Sequence, residues 1–150
     1  MITVRMQFDE SGIFGSNSHL SRRIKYYKTV IPKEIAEIYA NAIIEVAKAK
    51  FSHPRPYLVN YIKPKKMNDD SWIVTAPAYA AIVDRGRKPG KAPPASDIHL
   101  AQWAKAANIN LFWLRYSIAN HGTRPKNFIR PGMTLARARV RELMMRRTKG

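Results

Sequence analysis

Few side chains able to do chemistry stand close together in this sequence. Asp69 and Asp70 are adjacent, inside a KPKKMNDD stretch with the composition of a hairpin tip, and Glu34, Glu37 and Glu45 lie on a helical pattern whose other face is apolar. Acid–base catalysis needs carboxylates that converge from different elements. A polar tip and a solvated helix face account for these five more simply. His19, His53, His99 and His121 show no H-x-x-x-H spacing, and with no cysteine in the chain a metal site has no thiolate to complete it. Gly86, Gly90, Gly122 and Gly132 each fall in a separate turn, so no phosphate-cradling glycine loop is present. The expectation is no catalytic residue, no metal, no cofactor and no enzymatic turnover.

What the chain has in quantity is positive charge. Its 150 residues carry 27 Lys and Arg against 10 Asp and Glu, a formal net charge of +17, with a pI near 10.5. The excess rises along the chain: residues 1–50 hold 8 basic and 5 acidic side chains, residues 51–100 hold 8 and 4, and residues 101–150 hold 11 and 1. Charge of this size sets long-range attraction to anionic partners and says nothing about fold. Residues 97–107 and 111–121, joined by Asn108-Ile109-Asn110, have the outline of a helix-turn-helix. The second of them, LFWLRYSIANHG, offers only Arg115, Asn120 and His121 to a groove, and its Phe112, Trp113 and Tyr116 suggest packing on two sides. Sequence-independent phosphate contact by Arg137, Arg139, Arg141, Arg146 and Arg147 needs no motif.

The elements that must carry these groups follow from periodicity. Ile2, Val4, Met6 and Phe8 alternate with polar residues, which predicts a strand over 2–8, and 9–18 reads as a loop. Leu20, Ile24, Tyr27, Ile31, Ile35, Ile38, Ala42 and Val46 form a helical stripe from about 19 to 51. Pro32 interrupts it, predicting either two helices meeting near Val30 or one kinked helix. FSHPRP stops that helix; 57–62 and 71–75 read as strands, with KPKKMNDD as the tip between them. An apolar block at 76–83 precedes an exposed basic loop containing Pro89, Pro93 and Pro94. Ser96 or Asp97 caps a helix with Leu100, Trp103, Ala104 and Ala107 inward, and a second helix with Leu111, Leu114 and Ile118 inward ends at Gly122. A proline-bounded turn or strand over 123–132 leads to a last helix, 133–147. This pattern is α+β, in one domain spanning 1–150. No apolar run reaches the roughly 18 residues of a spanning helix, and the N-terminal residues do not have the form of a signal peptide.

Two segments resemble a known family. APAYAAIVDRGRKPGKAPP (76–94) is similar to a motif of the tail-completion, or head-to-tail joining, proteins of long-tailed bacteriophages, with Tyr79, Ala80, Asp84 and Gly86 on the matching positions. GTRPKNFIRPGM (122–133) is similar to that family's second motif, through Pro125, Phe128, Ile129, Arg130 and Pro131. The chain departs from the pattern at Arg85, where relatives commonly carry an aromatic or aliphatic residue, and in lacking a threonine-glycine pair after the long helix.

The resemblance implies a small antiparallel sheet packed against a long N-terminal helix, with a helical pair inserted at about 95–122 and a C-terminal helix. It implies a structural virion protein of the phage neck, present in host cytoplasm during assembly. Copies would form a hexameric or dodecameric ring joining the DNA-filled head, through its connector or adaptor, to the tail. Partners would be those neighbouring rings and, non-specifically, packaged DNA; no membrane is implied. Arg85, Arg87, Lys88 and Lys91, with the five C-terminal arginines above, are the candidate partner- or DNA-facing cations. Two other readings stay open: a nucleic-acid-binding protein acting through the basic C-terminal third, and a small basic ribonuclease, for which no acid–base pair can be named.

Overall fold

The computed structural model describes residues 2–5, 18–51, 56–68 and 71–148, with side chains described for most of them. The expected loop 9–18 therefore falls almost wholly outside the described residues, as do residues 6–8 of the expected first strand, His53, Asp69 and Asp70, and the side chain of His19. The fold is α+β and mostly helical. Strand β1 (Ile2–Arg5) precedes a long helix α1 (Ser18–Lys50), a short helix α2 (Pro56–Asn60), strands β2 (Lys63–Asn68) and β3 (Ser71–Thr75), and helices α3 (Ala80–Arg85), α4 (Ile98–Ala106), α5 (Leu111–His121) and α6 (Ile129–Thr148).

Of the two arrangements expected around Pro32, the structure excludes two separate helices: α1 runs as one helix through Pro32, which is fully buried. The missing N–H costs one hydrogen bond inside the helix, and the ring is packed in exchange. Ile31, Ile35, Ala36, Ala40, Ala42, Ile43 and Ala47 are buried, a broader face than a single stripe. The breadth is explained by two neighbours, since α1 packs on α6 and on the sheet. Gly132 makes the first contact close: a Cβ there would lie 2.7 Å from the Cα of Ile43.

Between α1 and the sheet the sequence reading needs two corrections. Residues 57–60 are helical, within α2, and the KPKKMN stretch is itself a strand. Pro56 opens α2 at a position where its missing N–H has no partner to lose. Leu58 of α2 and Ile62, just beyond its end, both enter the core. β2 is an edge strand, in the order β1-β3-β2 with all pairing antiparallel. Lys63, Lys65 and Lys66 suit an edge, because charge discourages another chain from pairing there. Pro64 is tolerated there for lack of a second ladder.

β3 is the central strand, with Val74 in the core and Trp72 packed against it. The core joins Ala36, Ala40, Ile43 and Ala47 of α1 to Leu58, Ile62, Val74, Ala80 and Phe128. Among the described residues no helix is long and apolar enough to cross a membrane.

Candidate functional site

The two segments that carry the family resemblance form one unit. Asp84, at the end of α3, turns its carboxylate onto the start of α6: Oδ1 accepts from the N–H of Phe128 at 2.7 Å and of Ile129 at 2.9 Å. The first N–H groups of a helix have no intrahelical partner and carry partial positive charge, so a carboxylate there satisfies donors and complements the dipole. Such caps are normally local in sequence; this one reaches across 44 residues. It explains why α6 starts at Ile129, four residues before the expected start, with Pro131 harmless in the first turn.

Backbone bonds extend the junction. Lys126 and Asn127 donate to the carbonyls of Val83 and Asp84, and Arg87 and Thr123 exchange both bonds of an antiparallel bridge. Gly86 lies against Thr123 and Pro125. Phe128 is wholly buried, in edge-to-face contact with Phe51 at 5.6 Å. Tyr79 and Ile129 pack on the core and Ala80 is in it. Of the nine motif residues, only Pro125, Arg130 and Pro131 are exposed.

The Arg87–Thr123 bridge also closes the base of the α4–α5 pair. Asp97 caps α4, accepting from the N–H groups of His99 and Leu100 at 3.1 Å, and Asn110 caps α5 through Phe112 N–H at 2.8 Å. Gly122, with φ +70°, ends α5 as expected. The turn between them passes through Asn108 at φ +54°, a conformation asparagine tolerates.

The basic residues divide by partner. In α6, Arg139 meets Glu45 at 2.9 Å, Arg146 pairs with Glu142 one turn away, and Arg147 pairs with Glu34 of α1. Arg130, Arg137 and Arg141 have no ion-pair partner among the described residues and are exposed. Their spacing puts them within about 40° of one another around the helix, in a row roughly 16 Å long. In the loop, Arg85, Lys88 and Lys91 are exposed, whereas half-buried Arg87 donates its guanidinium to the carbonyl of Lys91 at 2.6 Å. Gly90 donates to the carbonyl of Ala119, and Arg115 to that of Pro93. The loop is thus pinned to α5.

Two features go beyond the sequence expectations. Phe112, Trp113 and Tyr116 do not pack on two sides: they are 65%, 63% and 57% exposed and touch one another edge to face. Behind α5, between the helical pair and α3, lies a cleft of about 390 Å³ whose apolar walls include Tyr79, Val83, Leu100, Trp103, Leu114 and Ile118. The Oε1 of Gln102 and Oγ1 of Thr123, both on residues lining this cleft, are buried without a hydrogen-bond partner among the described residues. The spacing 112, 113, 116, set against the inward 111, 114, 118, is the signal in the sequence for an aromatic face of its own. Among the described residues no group of three or more His, Asp or Glu side chains could hold a metal.

Compared with known proteins, the chain matches no family model, no curated protein and no solved structure.

Proposed function

We propose that this chain is a structural subunit of a phage neck, assembling as a ring that joins the DNA-filled head to the tail, and that it has no catalytic turnover. The observation that carries this reading is the Asp84 cap on Phe128 and Ile129. Two segments that each resemble one family are interdependent in space, as the motifs of a single fold would be. The long helix, small sheet and C-terminal helix fit the same resemblance, and the pinned basic loop 85–94 offers a stiff cationic edge to an acidic neighbour. Deleting the gene from the genome that carries it tests the reading: filled heads and separate tails should accumulate. Normal yields of joined particles would refute it.

A second reading has its own support. The row Arg130, Arg137 and Arg141, unpaired among the described residues, could lie along a nucleic-acid backbone, giving sequence-independent binding through phosphates alone. In a neck ring the same row would meet packaged DNA, so the readings separate on whether the chain acts alone. Binding without any defect in joining would favour the second.

A further inference from the structure

We propose that copies of this chain join head to tail through the inserted helical pair, the aromatic face of α5 on one copy seating in the cleft behind α5 on the next. This supplies the subunit contact of the ring reading above, and rests on that reading for its place in a particle.

Helix α5 is apolar on two sides. At about 100° per residue, Leu114 and Ile118 point to one side of the helix and Phe112, Trp113 and Tyr116 to the other. The first set lines the cleft and the second is exposed. A convex apolar surface and a concave one therefore stand on opposite faces of one helix. No copy can place its own aromatic face in its own cleft, and a two-fold pairing of aromatic faces would leave both clefts open. Contact between unlike surfaces is heterologous, and it closes a ring when the rotation per subunit allows.

The polar chemistry matches as well. The cleft holds a buried acceptor with no partner among the described residues, Gln102 Oε1, and a hydroxyl, Thr123 Oγ1, in the same state. Unpaired buried polar atoms cost stability, and a donor arriving with the partner relieves that cost. The exposed face brings two, the indole N–H of Trp113 and the phenol O–H of Tyr116. Nucleic acid suits the aromatic face less well. The rings meet at 78° and 87°, with centroids 5.7 and 6.0 Å apart, so they present no parallel faces on which successive bases could stack.

Area sets the strength. Three aromatic side chains of about 150–250 Å² each, exposed by roughly three-fifths, offer about 300–450 Å². With a similar area on the cleft, one such interface buries less than the roughly 1,200–2,000 Å² of a stable pair. Isolated dimers are therefore weak, while a closed ring holds every copy from both sides. Charge works against assembly, since copies at +17 repel. The aromatic residues carry no charge, so added salt screens the repulsion and strengthens self-association, the opposite of its effect on phosphate binding.

Sedimentation velocity on the nuclease-treated full chain, over a concentration series at low and high salt, is the test. Larger species should grow with concentration and with salt. Trp113→Ser combined with Tyr116→Ser should raise the concentration needed at least about tenfold, the loss of one anchor or more. Ala106→Trp, on the α4 wall of the cleft, fills it and leaves the aromatic face of α5 intact, and should do the same. Circular dichroism reports whether each variant folds. Mixing the two variants should yield dimers and nothing longer, because each mixed pair has one intact interface. A chain that stays monomeric at every concentration overturns the proposal. So does assembly indifferent to either variant, or a mixture that at the highest concentration forms no more dimer than either variant alone. Failure here with unjoined particles in the gene deletion removes this interface and leaves the neck reading. Success here with a dispensable gene does the reverse.

Discussion

Gly122 faces the carbonyl of Arg87 so closely that a Cβ at position 122 would stand 2.1 Å from that oxygen. The same residue holds φ at +70°, where any side chain is strained. Gly122→Ala should therefore lose at least about 2 kcal/mol, from the backbone conformation and the collision together. Gly90→Ala shares the strain of a positive φ, +148°, but meets nothing within 4 Å and should lose less. Urea denaturation reads both, as a lower midpoint at unchanged slope. Equal stability in the two variants would mean that the Arg87–Thr123 junction relaxes freely.

Asp84→Ala should cost about 1–3 kcal/mol, because it leaves two helix N–H groups without an acceptor. Asp84→Asn retains an acceptor oxygen and should cost less. Thermal unfolding of the pair separates a cap from a surface charge. If both variants match the parent, Asp84 does not hold α6.

Phe128 is the largest wholly buried side chain among the described residues and touches Phe51. Phe128→Ala should destabilise by about 3–5 kcal/mol, the range for aromatic truncation in a core. A loss under about 1 kcal/mol, measured by denaturant titration, would contradict the packing described.

Lys88→Ser with Lys91→Ser should alter stability by no more than about 0.5 kcal/mol, both being exposed, yet should impair the joining of heads to tails. Arg87→Ser belongs to a different class, since its guanidinium bonds the loop backbone at 2.6 Å. It should lower the melting temperature as well. Particle counts by electron microscopy, beside melting curves, check both statements; normal joining by the double variant would make the loop a solvated turn.

Replacing Arg130, Arg137 and Arg141 together by Ala should reduce the slope of log affinity for duplex DNA against log salt by about 3, near 0.9 for each phosphate that is no longer neutralised. Substituting Arg139 and Arg147, which pair with Glu45 and Glu34, should reduce it less. Two unrelated duplexes should bind alike and remain uncut. Strong preference for one of them would revive the helix-turn-helix, and cleavage the ribonuclease.

Local physics is enough for much of this fold. The apolar period of the long helix, the Asp97 cap and the Gly122 stop are each set within a few residues, and all are present. So is the α+β class, which follows from the order of periodic segments. Net charge is fully determined by composition. Choices made between distant residues are not legible in the same way. Residues 57–62 are rich in strand formers, and Leu58 and Ile62, four apart, would share a face in a strand as well as in a helix, so their apolar pattern does not choose between the two; the segment is helical over Pro56–Asn60, and its Leu58 packs in a core with Val74 and Phe128 of other elements. The KPKK stretch looks like a turn by composition and becomes a strand because β3 offers it an edge to pair with. Which arginines are paired depends on glutamates up to 113 residues away. The exposure of Phe112, Trp113 and Tyr116 depends on α4 and the body of the fold covering the opposite side of α5, since apolar character states only that a surface favours burial and tertiary packing decides which surface is covered.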